Sequence, residues 1–300
     1  MSRRARVVGG VLAGGLILGA GGVIALGSLL TAPVPREIGP PPEDLRAEAV
    51  AIPSASGDTL AAWHVPADSA RGSVVLMHGI RADRRALVDR ARLFRDAGYA
   101  VLLFDFQAHG ESPGDRITLG WQERHDAIAA TAWMRQRHPG RPLAVVAQSM
   151  GGAAALYAGP DLEADALVVE SVYGSVREAT ENRLTMRIGP LGRPLAPLLT
   201  GQIEWRLGVS PDSLAPAEAV RQATAPILVA VGTDDAHATP REARRIYAHA
   251  PTPKRLWLVS GAAHQDLYRF APEAYREQVL GWLRTALEVR PLAPEAEPAR

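Results

Sequence analysis

The chain has 300 residues, with 33 Lys and Arg against 32 Asp and Glu, a formal net charge of +1, and no cysteine. These figures exclude disulfides, thiolate nucleophiles and Cys-ligated zinc or iron–sulfur sites, and such balanced charge gives no electrostatic footprint for nucleic acid. At 47% hydrophobic and 22% charged, this is a core-forming sequence sized for one large domain or two small ones.

Residues 1–6 carry Arg3, Arg4 and Arg6, and no charged residue follows until Arg36. Positions 7–30 hold only Val, Leu, Ile, Ala, Gly and one Ser. A helix of that length reaches roughly 36 Å at ~1.5 Å per residue, enough for a hydrocarbon core of ~30 Å. The basic flank predicts a cytoplasmic N-terminus and a domain on the extracytoplasmic side, anchored in the membrane by this single span. A cleaved signal peptide, which would release a secreted protein, has a shorter apolar region and a small-x-small cleavage site; the length here favours the anchor. Residues 31–47 contain Pro33, Pro35, Pro40, Pro41 and Pro42 and read as a stiff spacer.

From residue 48 to 290 the sequence reads as one domain of alternating strands and helices. Strands are expected at 59–65, 72–78, 100–105, 143–148, 166–170, 227–231 and 255–259. Helices are expected at 84–97, 120–137, 151–158, 241–248 and 272–288. The apolar runs AVLLF, LAVVAQ and ALVVE suit strands buried on both faces, so the alternation implies an α/β fold with a mostly parallel sheet covered on both sides. Residues 177–225 form a long insertion read as a small helical cap. Its apolar side chains could line an acyl pocket, dock on a membrane or pack on the sheet. Residues 291–300 read as a frayed tail.

Ligands of such sheets sit at the carboxyl ends of the strands, so polar residues there are the candidates. Ser149 lies in Ala147-Gln148-Ser149-Met150-Gly151-Gly152, a buried strand running into a small-residue helix. That is the setting of a nucleophile elbow, where a sharp turn projects the Ser hydroxyl and its neighbours must be small. Ala147 stands where glycine is usual. The backbone N–H of Met150, and that of Ile80 after the strand ending at His78-Gly79, are placed to hold a developing oxyanion. His78 itself is better read as structural. Asp235 follows the 227–231 strand and is the preferred acid, with Asp234 and Glu170 as alternatives. His264 follows the last strand. The order Ser149, Asp235, His264 lets the Asp orient an imidazole that moves the Ser proton. His237 is read with the surface or packing histidines; a metal cluster of His237, Asp234 and Asp235 lacks helical ligand spacing.

These motifs, together with Asp105, His109, Gly110 and Ser112 in a D-x-x-x-H-G-x-S loop, resemble those of the α/β-hydrolase superfamily over about residues 50–290. Within it the chain is similar to the membrane-anchored Bem46-type branch, related to serine peptidases of the prolyl oligopeptidase and S33 groups. The resemblance implies an α/β-hydrolase fold of roughly eight strands and a loop at 105–112 that braces the active-site wall. It implies a serine hydrolase acting on a small-molecule acyl substrate or a peptide through an acyl-enzyme, with no cofactor and no metal. Other readings are a non-catalytic binding or assembly module on the same fold, and an acyltransferase. No sequence feature fixes the oligomeric state.

Overall fold

The computed structural model describes residues 19, 21–57, 59–67 and 71–288. The expectations for 1–6, for most of 7–30 and for the tail 291–300 fall outside the described residues. Among the described residues no helix is long and apolar enough to cross a membrane.

The strands are β1 (Val34–Pro35), β2 (Glu48–Pro53), β3 (Thr59–Val65), β4 (Ser73–Met77), β5 (Ala100–Phe104), β6 (His109–Gly110), β7 (Leu143–Gln148), β8 (Ala166–Glu170), β9 (Ile227–Gly232) and β10 (Lys254–Val259). Eight of them form one sheet in the order β10-β9-β8-β7-β4-β5-β3-β2. β2 and β3 are antiparallel to each other, and β3 to β5; every other pairing in the sheet is parallel. Period-two alternation divides each central strand between two cores. Leu102 and Phe104 of β5, with Val145 and Ala147 of β7, face one side. Val101 and Leu103, with Ala144 and Val146, face the other.

The helices that cover those faces are α1 (Val88–Asp96), α2 (Glu123–Arg137), α3 (Met150–Ala158), α4 (Val176–Ile188), α5 (Gly192–Thr200), α6 (Ile203–Leu207), α7 (Pro240–His249) and α8 (Gly281–Glu288). Side chains of α2, α3 and α7 pack on the first face. Those of α1 and α8 pack on the second. α7 starts with a capping box, the Thr239 hydroxyl on the Glu242 N–H and the Glu242 carboxylate on the Thr239 N–H. α4, α5 and α6 belong to the insertion between β8 and β9, and Val176, Ile203, Leu207, Val209 and Leu214 form a small core of their own there.

The Pro-rich segment differs from its reading as a spacer. It lies against the domain: β1 pairs in parallel with β6. The Arg36 guanidinium meets Asp83 at 2.8 Å, and Leu45 is fully buried. A run of prolines forbids a central strand, but a two-residue pairing at an edge spends only donors that proline does not need. The strand β2 was not expected; Ile52 is its one buried side chain, too little apolar signal to mark it.

Candidate active site

The site is built at the carboxyl ends of β4, β7, β9 and β10. β7 runs into Ser149, whose backbone has φ +51° and ψ −116°, a strained conformation for any L side chain. The turn persists because its surroundings fix it: the Ser149 N–H donates to the Glu170 carbonyl at 2.8 Å, and its own carbonyl accepts from Ala153 N–H. The small residues are needed by close approach. A Cβ on Gly151 would lie 2.6 Å from the His78 carbonyl oxygen, and one on Gly152 would lie 2.3 Å from Val172. Ala147 is fully buried without difficulty, so the methyl in place of glycine is accommodated.

The Ser149 Oγ lies 3.4 Å from His264 Nε2, and His264 Nδ1 lies 2.8 Å from Asp235 Oδ2. The first distance is at the loose end of hydrogen-bond reach, as is common for such pairs before substrate binds. Asp235 is buried, and its other oxygen accepts the His237 and Ala238 N–H groups at 2.9 and 2.8 Å. Burial alone would push this carboxyl up; the hydrogen bond and charge of His264 and the Ala238 N–H outweigh it and hold the pKa below the ordinary value. The alternative carboxylates lie elsewhere. Asp234 is exposed and accepts from the Thr233 hydroxyl. Glu170 is fully buried against Arg90 at 2.6 Å and against the Tyr275 hydroxyl.

His78 and His109 each have both ring nitrogens in use. His78 Nδ1 faces the Gly79 carbonyl and its Nε2 accepts the Phe106 N–H. Burial lowers the His78 pKa to about 4, so it is neutral. His109 Nδ1 faces the Gln107 carbonyl and its Nε2 accepts the Arg81 N–H at 3.0 Å. Arg81 directly follows Ile80, so His109 fixes the peptide beside the Ile80 N–H. The same loop holds Asp105, which accepts from the backbone of Arg84 and Glu111 and pairs with the Arg84 side chain. A Cβ on Gly110, at φ +54°, would collide with the Asp105 carboxylate, so this position demands glycine. Met150 is the first residue of α3, where N–H groups lack intrahelical acceptors. Among the described residues no acceptor takes the Ile80 N–H.

Ser149, Ile80 and Met150 line one cavity of about 860 Å³ including its open mouth. Sequence reasoning offered the apolar side chains of the cap as pocket lining but missed the other walls. Tyr173 and Leu119 come from the sheet side, Arg183, Leu199 and Ile203 from the cap, and Gly27, Leu30 and Thr31 from a helical stretch at 21–31. It also missed that the His237 ring sits 4.9 Å from that of His264, where burial and then the His264 charge lower its pKa. Among the described residues no group of three or more His, Asp or Glu side chains is arranged to hold a metal ion.

Comparison with known proteins gives the same frame. Residues 68–202 match the family "Serine aminopeptidase, S33". Protein YqkD of Bacillus subtilis (strain 168) is 25% identical over 245 residues, covering 80% of each chain. The Pyrococcus furiosus esterase Pf2001 superposes with a TM-score of 0.71 at 21% identity, covering 86% of this chain and 98% of its own. The α/β hydrolase GrgF from Penicillium sp. sh18 superposes with a TM-score of 0.63 at 18% identity, over 81% and 99% of the two chains. With the sheet order already described, these likenesses show the fold of the α/β hydrolases, and the family match supports a serine hydrolase.

Proposed function

We propose that the protein is a membrane-anchored serine hydrolase that cleaves carboxylic ester, thioester or amide bonds through Ser149, His264 and Asp235. The observation that carries this reading is the run of contacts from Ser149 Oγ to His264 to buried Asp235, opening into one cavity. Ser149 Oγ attacks the carbonyl carbon while His264 Nε2 takes its proton, and Asp235 holds the imidazole with Nδ1–H toward it. The Ile80 and Met150 N–H groups receive the negative oxygen of the tetrahedral intermediate. His264 then returns the proton to the leaving alcohol, thiol or amine, and the acyl group stays on Ser149. Water, deprotonated by His264, releases the acid. The anchor reading is supported by the apolar sequence of 7–30. An ester is favoured among the three bond types by the apolar character of the cavity and by the esterase named among the similar structures.

The test is labelling by a fluorophosphonate probe together with hydrolysis of a short p-nitrophenyl ester. Wild-type protein is expected to be labelled and active, and Ser149→Ala to lose both. Labelling that survives in Ser149→Ala overturns the nucleophile. An unlabelled, inactive wild-type protein favours the binding-module reading.

A further inference from the structure

The cavity beside Ser149 is lined on one side by Gly27 and Leu30, which the sequence places at the end of the anchor, and by Thr31, the first residue of the spacer. Two cap side chains hold that helix in place. Gln202 Nε2 donates to the Val23 carbonyl at 3.0 Å, and Arg206 donates to the Ser28 hydroxyl at 2.8 Å and to the Ile24 carbonyl. The approach is close: a Cβ on Gly27 would lie 2.6 Å from Gln202 Oε1. These polar groups are therefore occupied with the helix and with each other.

The hydroxyls of the lining are occupied too. Thr31, Thr180 and Thr200 each donate to the carbonyl four residues earlier, at 3.0, 2.8 and 3.3 Å, which leaves their methyl groups for the cavity. The Tyr173 hydroxyl donates to the Leu119 carbonyl at 2.7 Å. What the walls offer is methyl, Leu, Ile and Val surface. Arg183 is the charged exception, and its Nη1 donates to the Ala179 carbonyl at 3.0 Å. A ligand that suits such walls is an amphiphile, polar at the reacting carbonyl and apolar beyond it.

We propose that helical residues 21–31 are a wall of an acyl-chain subsite, and that the enzyme takes the long acyl chain of a membrane lipid ester between this helix and the cap. This rests on Ser149 as the nucleophile. The bilayer as the source follows from the outer surface of the same elements. Leu26 and Leu29 on the helix and Leu191, Leu198 and Trp205 on the cap are exposed, Trp205 at 63%, on a chain whose sequence continues apolar back to Val7. Each methylene buried in the slot is worth about fourfold in kcat/KM at most.

The experiment compares full-length wild-type protein with Leu30→Trp, Leu30→Ala and the control Leu195→Ala, on p-nitrophenyl acetate and p-nitrophenyl dodecanoate. Leu195 is exposed on α5 and does not line the cavity. Wild type is expected to prefer dodecanoate. In Leu30→Trp the dodecanoate-to-acetate ratio of kcat/KM is expected to fall roughly tenfold or more, the worth of about two lost methylenes. Leu30→Ala, tolerable at a half-exposed position, should lower the ratio severalfold should the larger side chain prevent folding. Leu195→Ala should keep the wild-type ratio. A wild type that prefers acetate, or Leu30 variants within twofold of its ratio, overturns the subsite. In a second arm, vesicles of didodecanoyl phosphatidylcholine are expected to be hydrolysed by wild type and more slowly by the Leu30 variants. Turnover of the soluble dodecanoate without hydrolysis of the vesicle lipid overturns the membrane source. Failure of the nucleophile reading is seen separately, as activity that persists in Ser149→Ala.

Discussion

Asp235 divides its two oxygens between two tasks, and the division makes a sharp test possible. Oδ1 is held by the His237 and Ala238 N–H groups, so in Asp235→Asn the amide oxygen must take that side and the NH₂ must face His264. The imidazole would then carry its proton on Nε2, where it cannot accept from Ser149. We expect kcat to fall by about 10⁴ with little loss of stability, the size expected of a wrong tautomer. A fall of less than tenfold in steady-state assays would show that another carboxylate serves His264. The choice of Asp235 over Asp234 was open in the sequence, because two adjacent carboxylates after a strand differ only in where the turn points them. In the fold Asp234 donates its N–H to the Ala262 carbonyl and turns its carboxylate outward.

At the scale of elements, one buried cation joins three pieces of the site. Arg90 of α1 is 1% exposed, and its guanidinium reaches Glu170 at the end of β8, Gln148 at the end of β7 and Asp266 in the loop that carries His264. Asp266 in turn caps the N–H groups of Tyr268 and Arg269. Arg90→Leu would leave Glu170 buried without its counter-charge, which typically costs about 3–5 kcal/mol. Chemical denaturation should show that loss; a change below about 1 kcal/mol would mean that the cation is not what holds the carboxylate. Nothing in the sequence marked this network, since Arg90 is one of three arginines on an amphipathic helix and reads, like Arg92 and Arg95, as solvated. The elements themselves were far more legible. β5, β7, β8 and β9 are short apolar runs because both their faces are covered, and a Ser, Asp or His immediately after such a run can be placed at the sheet edge before any coordinates exist. The cap was legible as a candidate lining, but what it meets was not, because the walls come from segments as distant as Leu30 and Ile203 and no local pattern records that meeting.

At the scale of the molecule, Asp126 links stability to pH. It sits in α2, accepts from the Ser54 hydroxyl at 2.6 Å and from Gln107 N–H at 2.9 Å, and so joins the β2–β3 turn to the loop after β5. Burial raises its pKa to about 7, against an unfolded value of 3.8. Between those values the folded chain holds a proton that the unfolded chain has released. The stability from this group is thus fully present below pH 3.8 and is lost as the pH rises through 7. Asp126→Asn should therefore show a smaller drop in denaturation midpoint between pH 5 and pH 8 than wild type; equal drops would place the titration elsewhere. The strap formed by residues 31–45 has a practical consequence of its own. Because Val34 and Arg36 bond to the 108–110 backbone and Thr31 accepts from Ile117 N–H, the leader is stitched into the catalytic body. Exchanging the chain up to residue 45 for a foreign leader or a purification tag would strip the β1–β6 pairing and the Gly27, Leu30 and Thr31 side of the cavity together, so fusion partners for this protein belong at its other end.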